Sequence, residues 1–245
     1  MSIAATDLIS YCSASRPEDD TSLAGGAIDT TKRPSFTQWT ANAVAAIVSD
    51  GADTRTVTVY GRDATGAFTN QNLVADGTNE VVGTVVFERI LKITVSAASG
   101  TRTITIKQGA GGSTRATIPP NETGVAAMFI NSASAATAKV RYEKLFWRNS
   151  HASLTLNAAQ VTLTADPSAK IKIGLEAAKN DSNSVANRLA VPAGVTFVDD
   201  NVAQNVPGTT LEAASAIGVW VEQSLAINDI AYRSSYTTQL TGSSV

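Results

Sequence analysis

Apolar and polar residues alternate along the stretch from Arg55 to Lys107 with a period of two, which is the period of a β-strand with one buried face. Residues 56–60 read Thr-Val-Thr-Val-Tyr, so the two valines are predicted to share the buried face. Residues 61–66 are rich in glycine and other turn formers, and a second alternating run follows at 68–74. This pattern predicts a β-hairpin.

The same design recurs in the runs 91–95 and 103–107, which flank Ser99-Gly100 and predict a second hairpin. Similar alternation is found along most of the remaining chain, and helix is expected to account for less than about a fifth of it. The predicted strands lie at about 55–60, 69–74, 89–95, 101–107, 137–147, 154–156, 161–163, 170–175, 217–225 and 233–240.

Two segments lack this alternation. Residues 1–53 are predicted to form an extended N-terminal arm, in which residues 41–48 are either a short helix or the first strand. Residues 176–211 are predicted to be one long ordered loop, and a loop of that length usually rests on another surface. The expected fold is all-β, with two antiparallel β-sandwich domains, Ig-like or jelly-roll-like, at 54–149 and 150–245.

Composition and charge restrict the partners of the chain. Only 16% of its 245 residues are charged, and the formal net charge is −2. A scattered set of 19 Lys and Arg residues gives no basic field, so nucleic acid is not expected as a partner. In the predicted strand at 137–147, Val140 and Tyr142 are expected to point inward, together with Leu145 or Trp147. The basic residues Lys139, Arg141, Lys144 and the following Arg148 are expected to be solvated.

The N-terminus has no cationic leader, and no segment carries the roughly 18 consecutive apolar residues that would span a bilayer. Neither secretion nor membrane insertion is therefore expected. Cys12 is the single cysteine, so no disulfide can form within the chain, and a reducing host cytoplasm is compatible with that.

Candidate chemistry is sparse. His151 is the single histidine and is predicted to be a surface or packing residue. The pairs Asp19-Asp20 and Asp199-Asp200 are predicted to be solvated turn acids, with Ca²⁺ binding through Asp199, Asp200 and Asn201 as the alternative. The glycine-rich stretch at 108–113 lacks the Gly-Lys-Ser/Thr ending of a phosphate loop and is predicted to be a hairpin tip. No catalytic residue, cofactor or metal is predicted, so the chain is not expected to be an enzyme.

Several segments resemble structural proteins of tailed-bacteriophage virions, and together they span most of the chain. They are TRTVTVYGRDATGAF (54–68), VVFERILKITVS (85–96), GGAIDTTKRPSFTQ (25–38), RYEKLFWRN (141–149), TLTADPSAKIKIGL (162–175) and AVPAGVTFVDD (190–200). The resemblance implies a virion component, assembled in the host bacterial cytoplasm, that binds copies of itself and other virion proteins such as capsid, connector or tail. An accessory head-neck (collar) or capsid decoration role is expected, with a tail-associated or receptor- or carbohydrate-binding module as the alternative.

Several large side chains are candidates for subunit contacts, because aromatic and arginine residues dominate such interfaces. For the carbohydrate-binding alternative, Trp220 and Tyr232 are the candidates for stacking against a sugar. The interface candidates are Arg33, Phe36, Trp39, Phe197, Trp220 and Tyr232.

Overall fold

The structure of the protein is a computed structural model that describes residues 2–97, 100–132, 136–229 and 235–244. The chain divides into two compact units. Unit 1 comprises residues 1–29 and 129–245, and unit 2 comprises residues 30–128. The structure is nearly all β, which confirms the predicted class.

The described residues form nineteen strands and two single-turn 3₁₀ helices at Ala5–Asp7 and Pro207–Thr209. The strands are β1 (Leu8–Ser15), β2 (Ala24–Asp29), β3 (Lys32–Arg33), β4 (Ala43–Ser49), β5 (Thr56–Arg62), β6 (Phe68–Val74), β7 (Val81–Phe87), β8 (Arg89–Val95), β9 (Ile104–Gln108), β10 (Thr114–Ile118), β11 (Gly124–Ala126), β12 (Lys139–Asn149), β13 (Leu156–Ala165), β14 (Ile171–Lys179), β15 (Ser184–Val185), β16 (Gln204–Asn205), β17 (Thr210–Leu211), β18 (Ala216–Leu225) and β19 (Thr237–Ser243).

Unit 2 is built from two sheets that bury their apolar faces in one shared core. One sheet has the strand order β10-β9-β4-β7 and the other β3-β11-β8-β5-β6. Val57 and Val59 are fully buried in this core, as their alternation predicts. Segment 41–48 contributes the strand β4, so of the two alternatives for it the strand is confirmed.

The first predicted hairpin is confirmed and the second is wrong. β5 and β6 pair antiparallel from Thr56 opposite Val74 to Arg62 opposite Phe68, with the predicted turn between them. β8 pairs with β5 and β11, whereas β9 lies in the other sheet between β10 and β4. Alternation identifies each strand but not its partner, because both sheets present the same apolar inner face.

The glycine-rich stretch at 108–113 is a hairpin tip, as predicted. It joins β9 to β10, and the N–H of Gln108 donates to the carbonyl of Ser113 at 3.1 Å. Gly109 and Gly111 have positive φ angles of 80° and 62°, a conformation that glycine adopts at little cost.

Unit 1 contains a six-stranded sheet with the order β14-β18-β12-β1-β2-β15. β1 pairs antiparallel with both β12 and β2, so the prediction of an extended N-terminal arm is wrong for this part of the chain. Gly25 and Gly26 are residues that often mark a chain break in a sequence. They lie instead inside β2 with positive φ angles of 98° and 87°.

A second sheet of unit 1 is centred on β13, which pairs with β16, β17 and β19. Leu156, at the end of the predicted strand 154–156, and the whole predicted strand 161–163 belong to the single strand β13, and Ala158 with its φ of 48° lies within it. The last predicted strand, 233–240, begins outside the described residues, and its residues 237–240 are the first part of β19.

The segment predicted as one long loop, 176–211, begins inside β14 and contains three two-residue strands. It folds back on its own sheet, since Val198 exchanges backbone hydrogen bonds of 2.9 and 3.1 Å with Ile173. Val185 and Phe197 pack against the buried Trp220 and Tyr142. The surface on which the loop rests is therefore part of unit 1.

The boundaries between the two units differ from the domain boundaries predicted from the sequence. Unit 2 ends at Met128, and β12, which was expected to close the first domain, is a central strand of unit 1. The reason is the pairing of β1 with β12, which joins two segments more than a hundred residues apart. No periodicity along the chain can reveal such a pairing.

Candidate functional site: buried charges in unit 1 and an apolar edge in unit 2

Strand β12 buries charged side chains in the interior of unit 1. Arg141, Glu143 and Lys144 are each at most 2% exposed, whereas Val140 lies at the surface. The prediction that Arg141 and Lys144 are solvated is therefore wrong, as is the inward direction of Val140, while Tyr142 is buried as predicted. Buried charges require partners, and this strand finds them on both faces of its sheet.

The first group of partners, here called the Arg188 cluster, consists of Arg16, Asp20, Arg141, Glu143 and Arg188. The Arg188 guanidinium is fully buried and donates to Asp20 Oδ1 at 2.9 Å and to the carbonyl of Ile130 at 2.8 Å. Arg141 donates to both carboxylate oxygens of Asp20, at 2.6 and 3.0 Å. Glu143 lies 3.5 Å from Arg188 Nη1 and 3.8 Å from Arg16 Nη2.

Burial raises the pKa of both acids in this cluster, whereas the neighbouring cations lower it. Burial raises the pKa of Glu143, and the nearby Arg16 and Arg188 offset only part of that effect. Burial also opposes the ionisation of Asp20, but hydrogen bonds from Arg141, Lys139 and Arg188 outweigh it and hold its pKa well below the usual range. Asp20 is thus an ionised partner of three cations rather than the predicted solvated turn acid.

Asp20→Asn is expected to lower the free energy of unfolding by about 2–3 kcal/mol near neutral pH, because hydrogen bonds between charged groups are lost. The folded pKa lies below the unfolded value of about 3.9, so this stabilisation is complete above that pH. It is lost as the pH falls toward the folded pKa. Urea unfolding of both proteins from pH 7 to pH 2 should show the two stabilities converging in acid; a gap independent of pH would contradict the ion pairing.

On the opposite face of the sheet lies a second group, here called the Lys144 cluster: Lys144, Glu176, Asp181, Asn183 and Trp220. The Lys144 side chain has no exposed surface, and its Nζ donates to Glu176 Oε1 at 3.0 Å, to Asp181 Oδ1 and to the carbonyl of Asn183 at 3.2 Å. Trp220 Nε1 donates to Glu176 Oε1 at 2.7 Å, and Asn183 Nδ2 donates to Glu176 Oε2 at 2.9 Å. These contacts join β12, β14, β18 and the segment after β14.

Gly218 provides the space for the Lys144 cluster. A Cβ at this position would lie 2.5 Å from Asp181 Oδ2, 2.6 Å from Lys144 Cε and 2.9 Å from Glu176 Cγ. Gly218 is opposite Phe146 in the pairing of β12 with β18, and the Phe146 ring lies 4.9 Å from Lys144 Nζ. The Trp220 ring lies 5.4 Å from the same nitrogen. The ammonium is therefore enclosed by two aromatic rings and two carboxyl groups.

The pKa values of the two acids of the Lys144 cluster shift in opposite directions. Burial raises the pKa of Asp181, and the contact with Lys144 only partly offsets it. Burial opposes the ionisation of Glu176 as well, but hydrogen bonds from Asn183, Trp220 and Lys144 outweigh it and lower its pKa. With one cation and two carboxyl groups, the cluster is neutral when Asp181 holds a proton and Glu176 is ionised.

Unit 2 carries large apolar side chains at one edge of its two sheets. β6 and β7 each pair with a single strand among the described residues, so both are edge strands. Gln71 on β6 connects the two edges: its Oε1 accepts the N–H groups of Thr84 and Val85 at 3.1 and 3.0 Å. Four side chains on the outer faces of these strands are 44–57% exposed, and we call them the apolar edge: Phe68, Val74, Val82 and Val86.

The predicted interface residues occupy different environments. Trp39 and Trp220 are 2% and 1% exposed and belong to the cores of their own units, so neither presents a surface to a neighbouring subunit or a sugar. Phe36 packs partly buried against the unit 2 core, and the Phe197 ring packs against Tyr142 at a tilt of 46°, with ring centroids 5.3 Å apart. Arg33 forms a bidentate ion pair with Glu122. Tyr232 lies outside the described residues.

The remaining polar candidates occupy turns or exposed ion pairs. His151 Nδ1 accepts the backbone N–H groups of Ser153 and Leu154 at 3.1 and 3.0 Å. Asp199 forms an exposed ion pair of 3.3 Å with Lys172. Within the described ranges, no group of three or more His, Cys, Asp or Glu side chains is arranged to hold a metal ion. The described helices are all too short to cross a membrane.

Sequence reasoning missed both buried clusters. Their members come from distant segments, as with the hydrogen-bonded Asp20 and Arg188, which are 168 residues apart, so no local motif marks them. The available signal was the mixture of charged and aromatic residues at 141–147, which also fits an exposed strand. Comparisons of the chain with protein families, with curated proteins and with solved structures return no match.

Proposed function

We propose that the chain is a non-enzymatic structural component of a tailed-phage virion, which binds other copies of itself and neighbouring virion proteins. The resemblance of its segments to virion proteins supports this role, and an accessory head-neck or capsid decoration position fits it best. In this proposal each unit is an antiparallel β-sandwich, Ig-like or jelly-roll-like, that serves as a building block.

The observation that carries the proposal is the apolar edge of unit 2. Edge strands expose unpaired backbone groups, and proteins usually protect them with charged residues or proline. β6 has no charged residue and no proline, and neither has β7. An edge with Phe68, Val74, Val82 and Val86 at its surface is suited to burial against another protein. We take another copy of this chain as the partner, because an assembly built from many copies places them next to one another.

The double variant Val82→Lys/Val86→Lys is expected to reduce the amount of the protein on particles more than about tenfold, because burying unpaired charges at an interface costs several kcal/mol. Both side chains are exposed in the free chain, so its melting temperature should change by only a few degrees. The measurement is quantitative mass spectrometry of purified particles, together with thermal melting of the free protein.

A matched control is Thr117→Lys on β10, which lies at the opposite edge of the same sheet. Its occupancy on particles should equal that of the unchanged protein. Equal occupancy of all three proteins would show that the apolar edge is not a contact surface. Absence of the unchanged protein from particles would refute the virion role itself.

A further inference from the structure

The Lys144 cluster brings an amine and a carboxyl group into contact in a place from which water is excluded. Lys144 Nζ contacts the Asp181 carboxyl directly, and the side chains of Lys144, Asp181 and Glu176 are 0%, 5% and 4% exposed. Held in this way, two reactive groups gain the large rate advantage of an intramolecular reaction. Their condensation releases water, which a dry interior favours.

The structure distinguishes the roles of the two acids. Both oxygens of Glu176 accept hydrogen bonds from Lys144, Trp220 or Asn183, which suits a fixed, ionised proton acceptor. Oδ2 of Asp181 is buried and has no hydrogen-bond partner among the described residues. A buried oxygen without a partner is costly in a purely structural ion pair. Since Oδ1 accepts hydrogen bonds from Lys144 and from the backbone N–H of Asn183, the proton of the acid form lies on Oδ2, and Oδ2 is the hydroxyl that leaves when an amide forms.

We propose that Lys144 and Asp181 become joined by an amide bond between Nζ and Cγ, formed by the folded chain itself with Glu176 as the base. This cross-link is independent of the proposed function, because it rests on the interior of unit 1 alone.

The reaction balances without any added reagent. Glu176 takes a proton from the Lys144 ammonium and so frees the nitrogen lone pair, which attacks Cγ of the protonated Asp181 carboxyl. Glu176 returns this proton to the Asp181 hydroxyl, which leaves as water when its bond to Cγ breaks. The second proton lost by the nitrogen remains on Glu176, and the third stays on the amide. The cluster is uncharged before and after the step, and nothing is oxidised or reduced.

The cross-link would tie the central strand β12 to the segment that follows β14. A covalent bond between residues 37 positions apart limits the freedom of the unfolded chain. It also fixes the segment that covers Trp220 and Tyr142. A protein assembled into a particle that must withstand internal pressure or shear would benefit from this.

Mass spectrometry of the denatured full chain tests the proposal. The unchanged protein is expected to be lighter than its sequence by one water molecule. Trypsin should not cleave after the acylated Lys144, so the peptides 142–148 and 180–188 should appear as one branched species. Lys144→Arg and Glu176→Gln should both have the full sequence mass, the first because it lacks the amine and the second because it lacks the base.

Lys170→Met serves as the matched control, because Lys170 forms a partly exposed ion pair with Asp229 in the same unit. This variant should retain the loss of one water and the branched peptide. An unchanged protein with the full sequence mass would overturn the proposal. So would a loss of water confined to peptide 180–188, which indicates a succinimide at Asp181, or a branch to peptide 173–179, which carries Glu176.

Discussion

Deletion of residues 2–29 is expected to unfold unit 1 and to leave unit 2 folded. The deletion removes β1 and β2 from the interior of the six-stranded sheet and takes Asp20 and Arg16 away from the buried Arg141, Glu143 and Arg188. The deletion therefore costs unit 1 two central strands and the partners of three buried charges. The free energy lost exceeds the roughly 5–15 kcal/mol by which a typical domain is stable. The buried core of unit 2 lies entirely within residues 30–128.

Two-dimensional amide NMR spectra of three proteins measure this outcome: the full chain, the deletion variant and a fragment of residues 30–128. The dispersed signals of the fragment should all recur in the spectrum of the deletion variant, and the dispersed signals of unit 1 should be missing from it. If the signals of unit 1 persist, the segment 2–29 is a dispensable arm after all.

Arg188→Met is expected to reduce the free energy of unfolding of unit 1 by about 3–5 kcal/mol, because it leaves buried acids without their cation. Arg188 is fully buried, contacts Asp20 and Glu143, and donates to the backbone carbonyls of Ile130 and Asn131. Urea unfolding followed by tryptophan fluorescence, with Trp147 and Trp220 as reporters in unit 1, measures the change.

Lys172→Met is the matched control, since Lys172 and Asp199 form an ion pair in which the side chains are 41% and 71% exposed. Exposed pairs contribute up to about 1 kcal/mol, so this variant should unfold almost as the unchanged protein does. If both variants lose the same free energy of unfolding, the Arg188 cluster stabilises unit 1 no more than an exposed ion pair does.

Much of the strand content could be predicted from the sequence, because a half-buried strand leaves a period of two in the chain. β5 has strictly alternating burial, and Val57 and Val59 point inward as their spacing predicts. β1 and β2 were missed because the glycines at 25 and 26 resemble a break. The pairing of β1 with β12 was missed because it depends on contacts between distant segments.

The buried clusters could not be predicted for a physical reason. A lysine on a strand is solvated unless the fold supplies carboxyl groups and hydrogen-bond acceptors around it. For Lys144 these come from Glu176, Asp181 and Asn183, which are 32 to 39 residues away and lie in or after another strand. For the same reason, Trp220 looked like an exposed aromatic residue, although its indole N–H is bound to Glu176.

In the proposed function, the protein assembles into phage particles through repeated contacts at the apolar edge of unit 2. A cryo-electron microscopy map of purified particles tests it most directly. We expect symmetry-related copies of the chain at the head surface or neck, with Phe68, Val74, Val82 and Val86 buried against a neighbouring subunit. A map in which these side chains face solvent in every copy, or in which the chain is absent, would contradict it.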